Sequence, residues 1–254
     1  MLDNVIYAIN KESPIKEIKK EIDKLPNINY KDSNDLSLIH WFVKIRDISI
    51  FLIEEIIDYL LTKNMNIDIS NNKKETALIY ACQHDREDLV FLLVKKGANI
   101  NSYDYMDDSP LLWASYNRNL NMTKFLIENG ADIYHQYKDK KNALMWASKR
   151  GDSNIVKYLL QFMTEINTVD KFGNTAYDLS SNIETDIVFS EWLLENKIMM
   201  LSFFKNMNKH PLYEKQLIKL IFSYYTVPFI QKEHISKNQV SEYLIYNEDE
   251  YDNI

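Results

Sequence analysis

A period of 33 residues constrains this chain more than any other feature of its sequence. Gly97-Ala-Asn-Ile returns 33 residues later as Gly130-Ala-Asp-Ile. Taking Ser109 of Ser109-Pro-Leu-Leu-Trp-Ala114 as a marker, steps of 33 land on Thr76 (Thr76-Ala-Leu-Ile-Tyr-Ala81), Asn142 (Asn142-Ala-Leu-Met-Trp-Ala147) and Thr175 (Thr175-Ala-Tyr-Asp-Leu179). An apolar run starts 13 residues after each marker but the last, at Leu89, Met122 and Ile155. A looser copy, Ser37-Leu-Ile-His-Trp41, precedes Thr76 by 39 residues, and its six extra residues are expected to lengthen the helices around Ile48 to Glu55. Equal intervals of this size mean stacked supersecondary units, none of which can bury its apolar face alone.

The residue types fit two short helices per unit. Ser or Thr ahead of an apolar turn accepts an orphan backbone N–H, and Pro110 follows where its missing N–H costs nothing. Ala81, Ala114 and Ala147 are small enough for helices to approach closely, and Gly97 and Gly130 stand where a helix ends in the left-handed conformation.

The pattern resembles the ankyrin repeat, T-P-L-H-x-A followed by I-V-x-x-L-L and G-A-D-I-N, over about residues 29–195. It departs from that motif in several places. The motif histidine survives only at His40, the closing Gly is Asn64 in the first repeat and Met163 in the fourth, and the second helix of the fifth is slipped by a residue at Trp192-Leu-Leu194. The resemblance implies an all-α ankyrin repeat solenoid of about five repeats with helical N- and C-terminal caps. The repeats fall at about 29–66, 67–99, 100–132, 133–165 and 166–196, joined by hairpin-like fingers. It also implies a non-catalytic protein–protein interaction scaffold that binds on its concave face.

The ends depart from the period. In residues 1–28, Val5, Ile6 and Ile9, then Ile15, Ile18, Ile22 and Leu25, recur at helical spacing and form a degenerate capping repeat. Residues 197–254 form a C-terminal helical module. Ile198 to Phe204 is expected to be a helix covering the open end of the array, and Glu248 to Asp252 a solvated acidic tail.

Composition limits the function. The net charge of −7 argues against binding nucleic acid in bulk. No apolar stretch is long and uncharged enough for a membrane span, and the N-terminus lacks a secretory pattern. One cysteine, Cys82, excludes an internal disulfide and is expected in the core. These features point to a monomeric cytoplasmic protein. The abundance of Asn, Ile and Lys with few Gly is the bias of an AT-rich genome, such as that of a large DNA virus.

No catalytic pattern is present. The four glycines all fall on repeat positions, and the five histidines are scattered, with no metal-ligand spacing and no cofactor motif. His40 stands where ankyrin histidines bond a neighbouring loop. The aligned aromatics Trp41, Tyr80, Trp113 and Trp146 could stack a ligand, but that position is an apolar framework site and the plainer reading is core.

Partner-binding candidates come from the finger tips and first-helix ends, which ankyrin proteins vary. They are Gln83 and His84; Tyr103, Tyr105, Met106, Asp108, Tyr116 and Asn117; Lys138, Asp139, Lys149 and Arg150; and Lys171 and Phe172. Tyr, Met and Arg are enriched at interfaces, and the basic group suits an acidic partner segment. At the C-terminus, Pro211 to Tyr225 resembles the opening of an F-box, as in the shortened box of poxvirus ankyrin proteins, and the stretch on to Leu244 has a looser likeness to a SOCS box. Pro211 precedes Leu212, and Glu214 stands one place late. Such a box would dock a ubiquitin ligase through Leu217, Ile218, Ile221 and Phe222. The alternative is a helical cap with no docking role.

Overall fold

The repeat markers start helices as their chemistry requires. The side chains of Thr76, Ser109 and Asn142 accept from the N–H of Ile79, Leu112 and Met145, and Pro110 opens its helix. The computed structural model describes residues 2–163 and 166–206, with backbone alone for Leu194 and 197–206. The cap is α1 (Leu2–Asn10) and α2 (Ile15–Ile22). The first four repeats are α3 (Leu38–Lys44) with α4 (Ile50–Thr62), α5 (Ala77–Gln83) with α6 (Glu87–Lys95), α7 (Pro110–Tyr116) with α8 (Leu120–Glu128), and α9 (Ala143–Arg150) with α10 (Ser153–Leu160). The first helices contact one another in order, as do the second helices, so the array has two layers with a continuous core between them. Four of the six extra residues of repeat one lie in α4, with 13 residues against nine in α6.

Small residues at the layer junction are fully buried: Ala81, Ala114 and Ala147, with Cys82 beside the first of them. Burial pushes the Cys82 thiol far above its ordinary range, so it remains an unreactive core group.

The positive-φ residues fall into columns. One runs through the fingers (Asp35, Lys74, Asp107, Lys140, Gly173), a second between the paired helices (Asp85, Arg118, Gly151), and a third after the second helix (Asn64, Gly97, Gly130). Glu12, between α1 and α2, adds the cap's own interhelical turn. Glycine takes this conformation without strain; the other residues hold it because the turns around them are closed by hydrogen bonds.

Each finger is a narrow turn. Asp32, Asn71, Asp104, Tyr137 and Asp170 each donate their N–H to the carbonyl four residues on. In four fingers the Asp or Asn side chain also accepts two backbone N–H groups, as when Asp104 Oδ1 receives those of Met106 and Asp108. Tyr137 cannot do this, and the fourth finger lacks that brace. Among the described residues the fingers contain no ladder strand, only the single bridges Lys31–Ser37 and Ser70–Thr76.

Neighbouring repeats finish one another's helices. Arg86 Nη1 donates to the carbonyls of Phe42, Val43 and Ile45 at the end of α3. Asn117 Nδ2 donates to those of Cys82 and Gln83 at the end of α5. Asn182 Nδ2 donates to that of Gly151, which ends α9.

The fifth repeat differs from expectation. Its first helix is reduced to a turn at 176–179, where the Asp178 carboxylate takes the N–H and hydroxyl of Thr175. Its second helix is α11 (Ile183–Asn206), and the helix expected over Ile198–Phe204 is a continuation of it. The chain divides into two compact units, 1–193 and 194–254; of the second, the described residues are the remainder of α11.

Candidate functional site

The fingers and first-helix ends of repeats three to five carry most of the candidate side chains. At the third finger Tyr105 is 50% exposed, and at the fifth Phe172 is 71% exposed. Backbone bonds between fingers hold both tips: Tyr105 N donates to the Lys73 carbonyl at 2.9 Å, and Lys171 N to the Asp139 carbonyl at 2.9 Å. Between the third and fourth fingers side chains make the link. Lys138 lies over the Tyr105 ring at 5.8 Å and bonds the Tyr105 carbonyl. The His135 Nε2–H donates to the Asp107 carbonyl at 2.7 Å, while the His135 ring stacks on Tyr103 at 4.0 Å.

Beside the fingers, the ends of α7 and α9 form a row of rings. Tyr116 makes edge contacts with Trp113 at 5.7 Å and Trp146 at 5.1 Å. The Arg150 guanidinium lies 4.8 Å above Tyr116, and Lys149 lies 5.0 Å above Trp146. Lys141, almost fully buried, reaches Trp146 at 5.9 Å and Phe172 at 5.6 Å and so joins the row to the fifth finger. Its charge is balanced by Asp170 at 3.6 Å and Asp139 at 3.8 Å. A hydrogen bond and ion pair with Lys171 holds the Asp139 carboxyl below the usual carboxylate range.

Two candidates are placed otherwise than the sequence suggested. Asp108, expected at an open tip, is buried, and its Oδ1 has no hydrogen-bond partner. Burial, with Asp104, Asp107 and Asp139 nearby, pushes its carboxyl up to about 7. The Asn117 amide is committed to the end of α5. Gln83 and Met106 are half-buried, and His84 is exposed with Nδ1 bonded to the Tyr80 carbonyl of its own helix. Of the aromatic column, Trp41, Tyr80 and Trp113 are half-buried against the core, and Trp146 is half-buried as well. Trp41 donates its indole N–H to Asp32 Oδ2 at 2.9 Å, whereas the indole N–H groups of Trp113 and Trp146 have no partner among the described residues, although the residue corresponding to Asp32 is Asp104 for the first and Tyr137 for the second.

The family model described as ankyrin repeats (3 copies) matches residues 5–104, 52–137 and 111–200. The chain belongs to the ankyrin repeat family. No curated protein matches it. Ankyrin repeats generally mediate protein–protein interactions, and in this ankyrin array the finger tips supply exposed rings and the row beside them half-buried ones with exposed Lys149 and Arg150 above. Among the described residues no group of three or more His, Cys, Asp or Glu is placed to hold a metal, and no helix is long and apolar enough to cross a membrane. A cleft of about 360 Å³ lined by Ile6, Ile9, Trp41, Lys44, Arg46 and Ile48 lies at the other end of the ankyrin array, away from the candidates. Leu217, Ile218, Ile221 and Phe222 lie outside the described residues.

Sequence reasoning missed Lys141, Tyr137 and His135. The signal for Lys141 was available: it immediately precedes the helix-capping position, in a column that reads Leu36, Glu75, Asp108, Lys141 and Asn174. Glu75, Asp108 and Lys141 are all buried, so a change of charge sign in that column marks a pairing with the next finger.

Proposed function

We propose that this ankyrin array, residues 29–196 with a cap over 1–28, is a non-catalytic intracellular scaffold that binds a protein partner across the fingers and first-helix ends of repeats three to five. The reading rests on Tyr105 and Phe172, large apolar side chains exposed on tips that are pinned by backbone hydrogen bonds. Exposed rings on rigid supports lose little entropy on binding, which is how aromatic side chains act as interface anchors. Gln83, His84, Tyr103, Met106, Tyr116, Lys138, Lys149, Arg150 and Lys171 complete the surface.

The test is quantitative capture of partners from cell extract by the full chain and by the double variant Tyr105→Ala/Phe172→Ala. The expected result is loss of the partner set at an unchanged melting temperature. Equal capture by both proteins places the interface elsewhere. The likeness of Pro211 to Tyr225 to an F-box supports a second role, as a substrate adaptor. That role requires ubiquitin-ligase subunits in the capture that disappear when Leu217 and Ile221 are changed to Asp.

A further inference from the structure

The end of α9 carries two cations that the fold does not neutralise. Lys149 and Arg150 are exposed, and among the described residues neither is paired with a carboxylate. Among the described residues the acidic groups of repeat four are otherwise engaged: Asp152 caps α10 through Ile155 N and pairs with Arg118 at 3.5 Å, and Asp139 pairs with Lys171 and Lys141. The whole chain carries −7, so a bare basic pair runs against its overall sign.

Arg150 is also released from the task its position performs one repeat earlier. It stands 33 residues after Asn117, whose amide closes the end of α5. Arg150 makes no such bond to the end of α7, and its guanidinium lies over the Tyr116 ring instead, 4.8 Å from the centroid. Stacking on a ring fixes the guanidinium plane while leaving its edge N–H groups open, the arrangement that takes a carboxylate in two parallel hydrogen bonds. Lys149 on Trp146 supplies a second charge beside it. The favourable field at a helix C-terminus accounts for cations in the last turn, but not for two cations held over aromatic rings without a carboxylate paired to either.

We infer that this surface takes an acidic segment of the partner, with an Asp or Glu carboxylate gripped by Arg150, a second one near Lys149, and apolar side chains of the segment lying against Tyr116 and Phe172. The inference rests on the proposed concave-face reading and specifies the chemistry of what binds there.

Fluorescence anisotropy tests it with the full chain and a labelled peptide of alternating Glu and Leu, about ten residues long to span two repeats, alongside its Lys–Leu counterpart and a phosphoserine–Leu counterpart. The Glu peptide should bind and the Lys peptide should not. Arg150→Gln and Lys149→Gln should each weaken binding roughly fivefold to tenfold, and added salt should weaken it further. Lys124→Gln should leave binding unchanged, because Lys124 is stacked on Tyr158 in the other helix layer. Helical circular dichroism and the melting temperature of each variant separate a lost contact from a lost fold.

Equal binding of the Glu and Lys peptides, indifference to Arg150→Gln in a folded variant, or binding of the phosphoserine peptide alone overturns the inference. If the Glu peptide fails while Tyr105→Ala/Phe172→Ala still abolishes capture, the concave surface stands and its partner is not acidic. If the Glu peptide binds through Arg150 while that double variant captures normally, the anchoring role of the tips falls and the acid site stands.

Discussion

His40 Nε2 lies 3.0 Å from the carbonyl oxygen of Glu75, tying the first repeat to the finger of the second. The carbonyl requires a proton on Nε2, and burial holds the pKa of the ring below its ordinary value. The ring is thereby kept neutral, and its Nδ1 accepts from the Ser37 hydroxyl, 2.8 Å away. His40→Ala should cost about 1–3 kcal/mol by leaving the Glu75 carbonyl unsatisfied in the core. The pH effect has a definite sign: the contribution is present above the unfolded pKa near 6.5 and is lost as pH falls below it, because only the unfolded chain then gains the proton. Urea melts of the unaltered protein and of His40→Gln isolate this contribution: the margin of the unaltered protein over the variant should shrink from pH 7.5 to pH 5.5.

Asp108 has the opposite pH dependence. Its carboxyl is raised from near 4 to about 7, so the native state holds the proton that the unfolded chain gives up. The contribution of this group should fall as pH rises from about 4 to 7 and level off above that. Asp108→Asn removes the charge at nearly constant volume. It should stabilise the protein at pH 8 by about 1–3 kcal/mol, the scale of an unsatisfied buried polar group, and make little difference at pH 4. The measurement is the difference in urea midpoint between the two proteins at each pH.

Arg86 closes the end of α3 from the following repeat, with one nitrogen shared among the carbonyls of Phe42, Val43 and Ile45 and the rest of the fork on Asp88. Arg86→Met should destabilise by about 2–3 kcal/mol, since hydrogen bonds to a charged group are lost in a buried place. Arg86→Lys should recover only part of this, because an ammonium cannot reach both the carbonyls and Asp88 with a planar fork. Thermal melts of the two variants settle the order.

Gly130 and Gly151 both have positive φ, yet alanine should cost more at Gly151. A Cβ at Gly130 would meet nothing within 4 Å, so only the backbone preference is lost, about 1 kcal/mol. At Gly151 the new carbon would lie 2.7 Å from both Asn182 Nδ2 and Ser181 Oγ, forcing apart the bond from Asn182 to the Gly151 carbonyl. Denaturant melts of the two alanine variants should differ by more than the cost at Gly130 alone.

The helix starts were legible because they depend on single residues at fixed spacing: Thr76, Ser109 and Asn142 cap as their chemistry requires. The end of the array was harder to read because one residue type behaves differently at the same position. Asn64 takes the left-handed conformation that ends α4, as Gly97 and Gly130 do after α6 and α8, whereas Asn196, at the corresponding position of the fifth repeat, lies within α11, which runs on to Asn206. Thr175 looks like another marker, but Asp178 three residues later takes its N–H and hydroxyl, and the apolar turn that should follow contains Ser180 and Ser181. Asp108 looked like a tip residue because Asp suits turns. Its burial comes from the next finger lying against it, which a one-dimensional pattern does not contain. Of the candidate surface, the aromatic and basic residues could be listed from sequence, but their stacking could not, because Tyr116 meets Arg150 across 34 positions.

The helix closures by Arg86, Asn117 and Asn182 all point the same way: the donor comes from the later repeat and the acceptor from the earlier one. The array therefore has a polarity. A cut that removes leading repeats exposes side-chain donors, which water satisfies at little cost. A cut that removes trailing repeats strips helix ends of the groups that complete them. Fraying should accordingly proceed inward from the trailing side, and during synthesis the first, second and fourth repeats become fully closed only once the next has emerged.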